Sequence, residues 1–370
     1  MCGIYIHIPF CRSRCVYCDF YSVTQSGQWM EAYVDALCRE MRCRRDEAGC
    51  RTINTLYIGG GTPSQLPPAL MCRLMAEVNR LFALAEDAEV TVEANPDDVT
   101  PAWLDAILAT PVNRISMGVQ TFHDPLLRLL RRRHTGLQAQ DAVTRCREAG
   151  LHNISVDLIF GLPGQTLNMW RSEVEQELPC KVPHLSAYAL QYEAGTRLWS
   201  LREQGLVEEA SESLSVEMFT VLTQMARQAG MEHYEISNYA MPGMRSRHNS
   251  SYWTQVPYLG FGPGAHSYDG DRMRRWNEHG LRAYVEAIGD VPHGKEYLTQ
   301  EQKYNETVMT RLRTCEGLPL DILSSDERNH CLRAAQAYLR TGNLVHRGQS
   351  LCLSERAFFI SDTIICDLMQ

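Results

Sequence analysis

Between Ile4 and about Ser237, short apolar runs alternate with longer stretches of helical periodicity. The runs are Ile4–Ile8, Thr55–Ile58, Val90–Glu93, Arg114–Met117, Ile154–Leu158 and Leu185–Ala189. They read as strands apolar on both faces, as in a buried parallel sheet. Between them, Met30, Tyr33, Val34, Leu37 and Met41 recur at steps of three and four, the stripe of an amphipathic helix. Strand–helix alternation of this kind predicts right-handed βαβ units and a mainly parallel sheet. In such sheets, ligands bind beyond the carboxyl ends of the strands. The polar and glycine-rich groups stand there: Gly59-Gly60-Gly61-Thr62-Pro63, Glu93-Ala94-Asn95-Pro96, Gly118-Val119-Gln120 and Gly161-Leu162-Pro163-Gly164.

The pattern changes twice further on. A long helical pattern at about 205–230 gives way to a loop-rich stretch from His233 to Tyr268. After Thr299, helical segments at about 300–313 and 327–341 lead to short strand-like pieces and a final helix ending at Asp367. The division expected is a main α/β domain over 1–240, a loop-rich connection over 241–299, and a small α+β module, winged-helix-like, over 300–370. Basic and acidic residues nearly balance in that module, so no charge argument makes it a DNA reader.

The whole chain has 370 residues, 44% hydrophobic and 22% charged, the make-up of a globular protein with a real core. Its net charge of −8 sets no broad positive field for phosphates, which argues against nucleic-acid partners. The longest uncharged stretches are broken by Gly, Pro, Asn and Gln, whereas a spanning helix needs about 20 apolar residues. The start, Met1-Cys2-Gly3-Ile4, lacks a basic region followed by an apolar run, so a cytoplasmic location is expected. Of the 14 cysteines, scattered ones such as Cys38, Cys72, Cys146, Cys180 and Cys315 read as buried small hydrophobes.

One cluster does not fit that reading. Cys11, Cys15 and Cys18 follow the first strand with Cys-x3-Cys-x2-Cys spacing. A short loop can wrap three thiolates around one metal centre, and thiolates are the usual ligands of iron–sulfur clusters. Three ligands on a four-iron cluster leave one iron open. Zinc competes, with His7 or Cys2 as a fourth ligand.

This spacing after a strand resembles the radical S-adenosylmethionine superfamily. Within it, the strings Tyr5-Ile6-His7-Ile8-Pro9-Phe10-Cys11, Gly59-Gly60-Gly61-Thr62-Pro63, Glu93-Ala94-Asn95-Pro96, Gly118-Val119-Gln120, Asp157-Leu158-Ile159 and Gly161-Leu162-Pro163 resemble the oxygen-independent coproporphyrinogen III oxidase group. The resemblance implies a partial (β/α)6 barrel and a [4Fe–4S] cluster on Cys11, Cys15 and Cys18. It also implies S-adenosylmethionine chelated to the open iron through its amino and carboxylate groups. Tyr5, Gly60, Gly61, Thr62 and Glu93 would line the S-adenosylmethionine pocket, with Gln120, Arg132 and Asp157 at further binding positions. Glycines let backbone approach a ligand closely, Glu93 can accept from an ammonium or hydroxyl, and Arg132 can fork onto a carboxylate.

Two departures separate the chain from the catalytic oxidases. Those enzymes resemble Cys-x3-Cys-x2-Cys-x-Cys, whereas Phe20 stands at the fourth cysteine position here; they also carry an extension before the cluster strand, while Tyr5 lies almost at this start. Both match the paralogous heme chaperone (HemW) group, as does His248-Asn249-Ser250-Ser251-Tyr252-Trp253, similar to that group's His-Asn-x-x-Tyr-Trp signature. His248 is the candidate heme contact, with Tyr252 and Trp253 offering aromatic faces. His7, His123, His233 and His266 are rival ligands. The function expected is heme binding and transfer to acceptor proteins of the respiratory chain, any membrane association running through the acceptor alone. The alternatives are oxidative decarboxylation of coproporphyrinogen III, or another radical enzyme. No residue is assigned a catalytic role.

Overall fold

A computed structural model of the chain describes residues 2–24, 27–49, 52–177 and 182–370. Six parallel strands lie side by side in chain order: β1 (Gly3–Ile8), β2 (Thr52–Gly60), β3 (Ala83–Ala94), β4 (Arg114–Gln120), β5 (Asn153–Phe160) and β6 (His184–Ala189). They contain all six runs picked out by the apolar pattern. The connecting helices are α1 (Met30–Arg44), α2 (Pro68–Leu81), α3 (Pro101–Leu108), α4 (Asp124–Leu129), α5 (Gly136–Glu148) and α6 (Leu167–Glu177).

Local chemistry sets the helix boundaries. Thr100 caps α3 and Thr135 closes a capping box with Gln138 at α5, satisfying backbone N–H groups that have no helical partner. On α1 the predicted stripe is the buried one, with Tyr33, Val34, Leu37 and Met41 packed against the sheet.

The strands are not apolar on both faces, which corrects the expectation drawn from the pattern. Ile4, Ile6 and Ile8, Leu56 and Ile58, Val90 and Val92, Ile115 and Met117, Ile154, Val156 and Leu158, Leu185 and Ala187 join one core with the helices. The alternate positions are polar, among them Tyr5, Tyr57, Glu93, Arg114, Ser116, Asp157 and Ser186, and most of these line a lumen. Parallel registry aligns them in rows: Tyr5, Tyr57, Thr91 and Arg114 form one, Glu93, Ser116 and Ser155 the next.

A short helix, α7 (Arg197–Glu203), precedes α8 (Glu212–Gln228), which corresponds to the helical pattern near 205–230 and is capped by Ser211. The stretch read as loop-rich is also corrected. The hairpin β7 (Glu232–Glu235) and β8 (Asn238–Ala240) extends the sheet beyond β6, and the helix α9 (Arg247–Trp253) follows. Then β9 (Tyr258–Phe261) pairs parallel with β1, and β10 (His266–Tyr268), β11 (Met273–Asn277) and β12 (His293–Tyr297) continue that edge antiparallel, α10 (Leu281–Glu286) lying before β12. The result is a 12-stranded sheet with β12 and β7 at its edges, an open barrel rather than a closed one. Such short strands, interrupted by Gly and Pro, show no alternation long enough to read.

Residues 304–368 form a second core, built from α11 (Gln300–Leu312), β13 (Leu318–Pro319), α12 (Ser325–Thr341), β14 (Leu344–Arg347), β15 (Ser350–Leu353) and α13 (Ser361–Leu368). Helix, strand, helix and hairpin in that order match the α+β module expected. Among the scattered cysteines, Cys38 and Cys146 are buried and Cys72 and Cys315 half-buried, while Cys180 lies outside the described residues.

Candidate functional site

The Cys-bearing loop leaves the carboxyl end of β1 and returns at Val23. Backbone bonds clamp its two ends: Val23 N donates to Pro9 O at 2.7 Å and Cys11 N to Val23 O at 3.0 Å. Its crest is tied across the barrel mouth, Val16 N donating to Leu130 O and Leu198 N to Val16 O. Cys11, Cys15 and Cys18 all face one cavity of about 810 Å³, within the size range of small-molecule sites. Among the described residues no three His, Cys, Asp or Glu side chains converge on a point, as ligands of a single ion would. A cubane asks for something else, one thiolate on each of three irons.

The donor set suits such a cluster. Arg132 Nη1 lies 3.3 Å from Cys15 Sγ, and the Thr62 hydroxyl 3.4 Å from Cys11 Sγ. A guanidinium and a hydroxyl beside the sulfurs stabilise the anionic form that metal binding requires. Without a metal, burial pushes the Cys18 thiol up to about 11 and raises that of Cys11 as well.

Gly60 and Gly61 form the adjacent wall. Gly60 has φ +110, and a Cβ there would sit 2.5 Å from the His7 ring; a Cβ on Gly61 would lie 2.8 Å from the Pro9 carbonyl carbon. Gly61 N donates to Ile8 O at 2.8 Å, so the glycine turn is stitched to the start of the cysteine loop. Glu93 accepts from Gly60 N at 3.0 Å and from Tyr57 OH at 2.8 Å. Burial nonetheless pushes its carboxyl up to about 7, and that of Asp157 up to about 6.

Arg132 is no solvated basic face: its guanidinium turns inward and donates to Asn95 Oδ1 at 2.6 Å and to the Gly118 carbonyl. The neighbouring Arg133 faces Asp97 and Asp98 instead. Gln120 lines the same cavity with φ +74 at a register shift in β4, a left-handed conformation that a non-glycine residue holds only where its surroundings impose it. Thus Gly60, Gly61, Thr62, Glu93, Gln120, Arg132 and Asp157 meet the three cysteines in one cavity. Tyr5 stands one layer away, its hydroxyl 3.0 Å from His7 Nδ1, in a smaller pocket with Tyr57, Gly60 and Glu93.

The His-Asn-x-x-Tyr-Trp segment is the helix α9. The Glu89 carboxylate accepts from Arg247 N and His248 N, both at 2.9 Å, which seats the helix across the amino ends of the strands. It therefore closes the end of the lumen opposite the cysteine loop. His248 is 1% exposed and stacks on Tyr57. Its Nδ1 lies 2.9 Å from Thr55 Oγ1 and its Nε2 2.8 Å from Tyr252 OH. Both ring nitrogens are engaged, so this imidazole offers no free electron pair to an iron. Asn249, Tyr252 and Trp253, rather than His248, line the main cavity.

The rival histidines fare no better. His7 is buried between Tyr5 and the Tyr21 carbonyl, and burial lowers it to about 4. His233 is stacked on Tyr239, His123 lies beside Glu173, and His266 stacks with Trp276 on the outer strands. Residues that the pattern did not single out include Tyr57, Arg114, Ser116 and Ser186, all lining the cavity. Their signal was the polar half of each strand's alternation. Phe20 is 64% exposed at the mouth.

A family model described as the radical SAM superfamily matches residues 5–175, and one described as the HemN C-terminal domain matches residues 298–360. The heme chaperone HemW of Lactococcus lactis is 38% identical over 307 residues, covering 83% of this chain and 77% of the relative. HemW of Bacillus subtilis is 37% identical, with 86% and 85% covered, and HemW of Mycobacterium tuberculosis 33% identical, with 99% and 94% covered. Among solved structures, coproporphyrinogen III oxidase (HemN) from Escherichia coli superposes with a TM-score of 0.84 at 21% identity, over 100% of this chain and 90% of that one. At that identity the likeness concerns the fold.

Proposed function

The chain belongs to the HemW family of the radical SAM superfamily, and on that premise we propose that it binds heme and hands it to acceptor proteins. The observation that carries this reading is the 33–38% identity to heme chaperones, sustained in one case over 94% of the relative's length. Membership of the superfamily implies a [4Fe–4S] cluster and S-adenosylmethionine. We place the cluster on Cys11, Cys15 and Cys18, whose sulfurs ring one cavity, and the S-adenosylmethionine against Gly60, Gly61, Thr62 and Glu93, with Gln120, Arg132 and Asp157 beside it. When bound, the cluster supplies a one-electron reductant next to a sulfonium.

What the chain's own residues do follows from their geometry. The glycine turn packs its backbone against His7 and Pro9, where any side chain would collide, with Gly60 N held by Glu93 and Gly61 N by Ile8 O, so that one wall of the site is bare backbone. Glu93, already fixed by Tyr57 and Gly60, presents a carboxylate to a cationic or hydroxyl group. Arg132 neutralises the thiolate on Cys15. The lumen reaches beyond these residues to Tyr252 and Trp253, which give the macrocycle aromatic surface.

No helix among the described residues is long and apolar enough to cross a membrane. We place the protein in the cytoplasm, and its acceptors in the respiratory chain. The test is heme binding by the anaerobically reconstituted full chain, followed by transfer to an apo heme protein. Stoichiometric binding and transfer, with no carbon dioxide released from added coproporphyrinogen III, is the expected result. Carbon dioxide release coupled to consumption of S-adenosylmethionine overturns it in favour of the oxidase.

A further inference from the structure

Arg114 is the first residue of β4, at the floor of the lumen, yet it lines the same cavity as the cysteines. It is 1% exposed, and neither its Nε nor its Nη1 has a hydrogen-bond partner among the described residues. Among the described residues no carboxylate comes within ion-pair distance of it. Of the acidic side chains that line its cavity, Glu93 and Asp157 feel its charge only from farther off, and both accept from other groups, Glu93 from Tyr57 and Gly60 and Asp157 from Ser116. The indole N–H of Trp253, in the same cavity, is likewise buried without a partner. Two donors so placed call for an acceptor that the chain does not provide.

A guanidinium stays charged at any accessible pH, and a buried charge without a counter-ion is costly. Its rigid fork matches a carboxylate. On the proposed reading the methionine carboxylate of S-adenosylmethionine would lie at the cluster, beyond the other end of β4, whose seven residues put the Cα atoms of its two ends about 20 Å apart. The heme of the proposed function carries two propionate carboxylates on one edge of an otherwise apolar disc. We infer that Arg114 binds a heme propionate, so that the cargo enters the lumen with its acidic edge toward the floor and Trp253. This rests on the heme-chaperone reading and adds the group by which the cargo is recognised.

The experiment uses the full, cluster-reconstituted chain and two probes, heme and heme dimethyl ester, titrated by Soret absorbance. Loss of one charge-assisted buried contact corresponds to about 10- to 100-fold in affinity. The wild type is expected to prefer heme over the diester by that factor. Arg114→Met should weaken heme binding until the preference is gone, leaving diester binding nearly unchanged. Arg114→Lys, which keeps the charge but not the fork, should retain part of the preference; it carries the test if the Met variant fails to fold by circular dichroism. Equal wild-type affinity for the two probes overturns the inference, as does an undiminished preference in Arg114→Lys or Arg114→Met. S-adenosylmethionine affinity lost in the variants while the heme preference persists assigns the arginine to that ligand instead. Failure of the wild type to bind heme at all removes the chaperone reading itself, and the inference with it.

Discussion

Gly60 is the position where one added methyl group tests the site most sharply. Its φ of +110 is a conformation that L side chains rarely adopt, and holding alanine in a left-handed geometry costs roughly 1–2 kcal/mol. The new Cβ would lie 2.5 Å from both Cε1 and Nδ1 of His7 and 3.0 Å from its Cγ. That ring cannot swing aside cheaply: it is 4% exposed, with Nδ1 on Tyr5 OH and Nε2 2.9 Å from the Tyr21 carbonyl. Overpacking of this kind adds about 1–3 kcal/mol. Gly60→Ala should therefore lose about 2–5 kcal/mol in urea unfolding, a large share of the 5–15 kcal/mol a domain of ordinary stability has. It should also displace Gly60 N from Glu93 and so weaken S-adenosylmethionine binding, measured by equilibrium dialysis. Gly164→Ala is the control, because Gly164 has φ +77 but open space around a Cβ. It should show the backbone cost alone. Equal losses in the two variants, with S-adenosylmethionine affinity unchanged, would refute the claim that the His7 ring and the glycine turn form one rigid wall.

Cys15→Ser should abolish iron incorporation and the brown absorbance of the reconstituted protein; full iron content with the colour retained refutes the cluster assignment. His248→Ala leaves Thr55 and Tyr252 without their imidazole partner and should cost about 2–4 kcal/mol in urea unfolding. It should still bind heme stoichiometrically, since the ring lines only the smaller pocket beside Tyr5 and Tyr57 and not the main cavity; loss of heme in a folded variant refutes that placement. The pH dependence of stability follows from Glu93. Burial raises its carboxyl to about 7, so between the unfolded value near 4 and pH 7 the folded state holds a proton that the unfolded chain has released. Its contribution is present at low pH and lost as pH rises through that window, by on the order of 3 kcal/mol at most. Glu93→Gln should flatten the wild-type decline in the urea midpoint between pH 5 and 7.5, and parallel curves refute the assignment.

Much of the fold was legible because a strand buried against helices must be apolar on at least one face, and each of the six runs is. The error of reading both faces as apolar came from attending to Ile4, Ile6 and Ile8 without weighing Tyr5 and His7 between them. The same alternation sits in Val90-Thr91-Val92-Glu93 and in Ile154-Ser155-Val156-Asp157. The cysteine loop was legible as one unit facing the lumen because the spacing of Cys11, Cys15 and Cys18 is local. The seat of α9 was not, because it depends on Glu89 meeting two backbone N–H groups 158 and 159 residues away.

The polar halves of the strands matter beyond scoring the reading. A barrel filled only to pack would carry branched apolar side chains in layers. This one carries two carboxyls whose neutral form burial favours, and a guanidinium with no ion-pair partner in contact among the described residues. Each is unfavourable for the empty chain, and each becomes favourable with a ligand of the right charge at the right height. On the proposed reading, the cationic end of S-adenosylmethionine would answer Glu93 near the glycine turn, and an acidic cargo would answer Arg114 at the floor. The interior is thus a graded set of unmet demands along one lumen. On that reading a single cavity would hold two unlike ligands without either displacing the other, and the stability of the fold would rise with their occupancy, since each ligand that binds only the folded state adds to it.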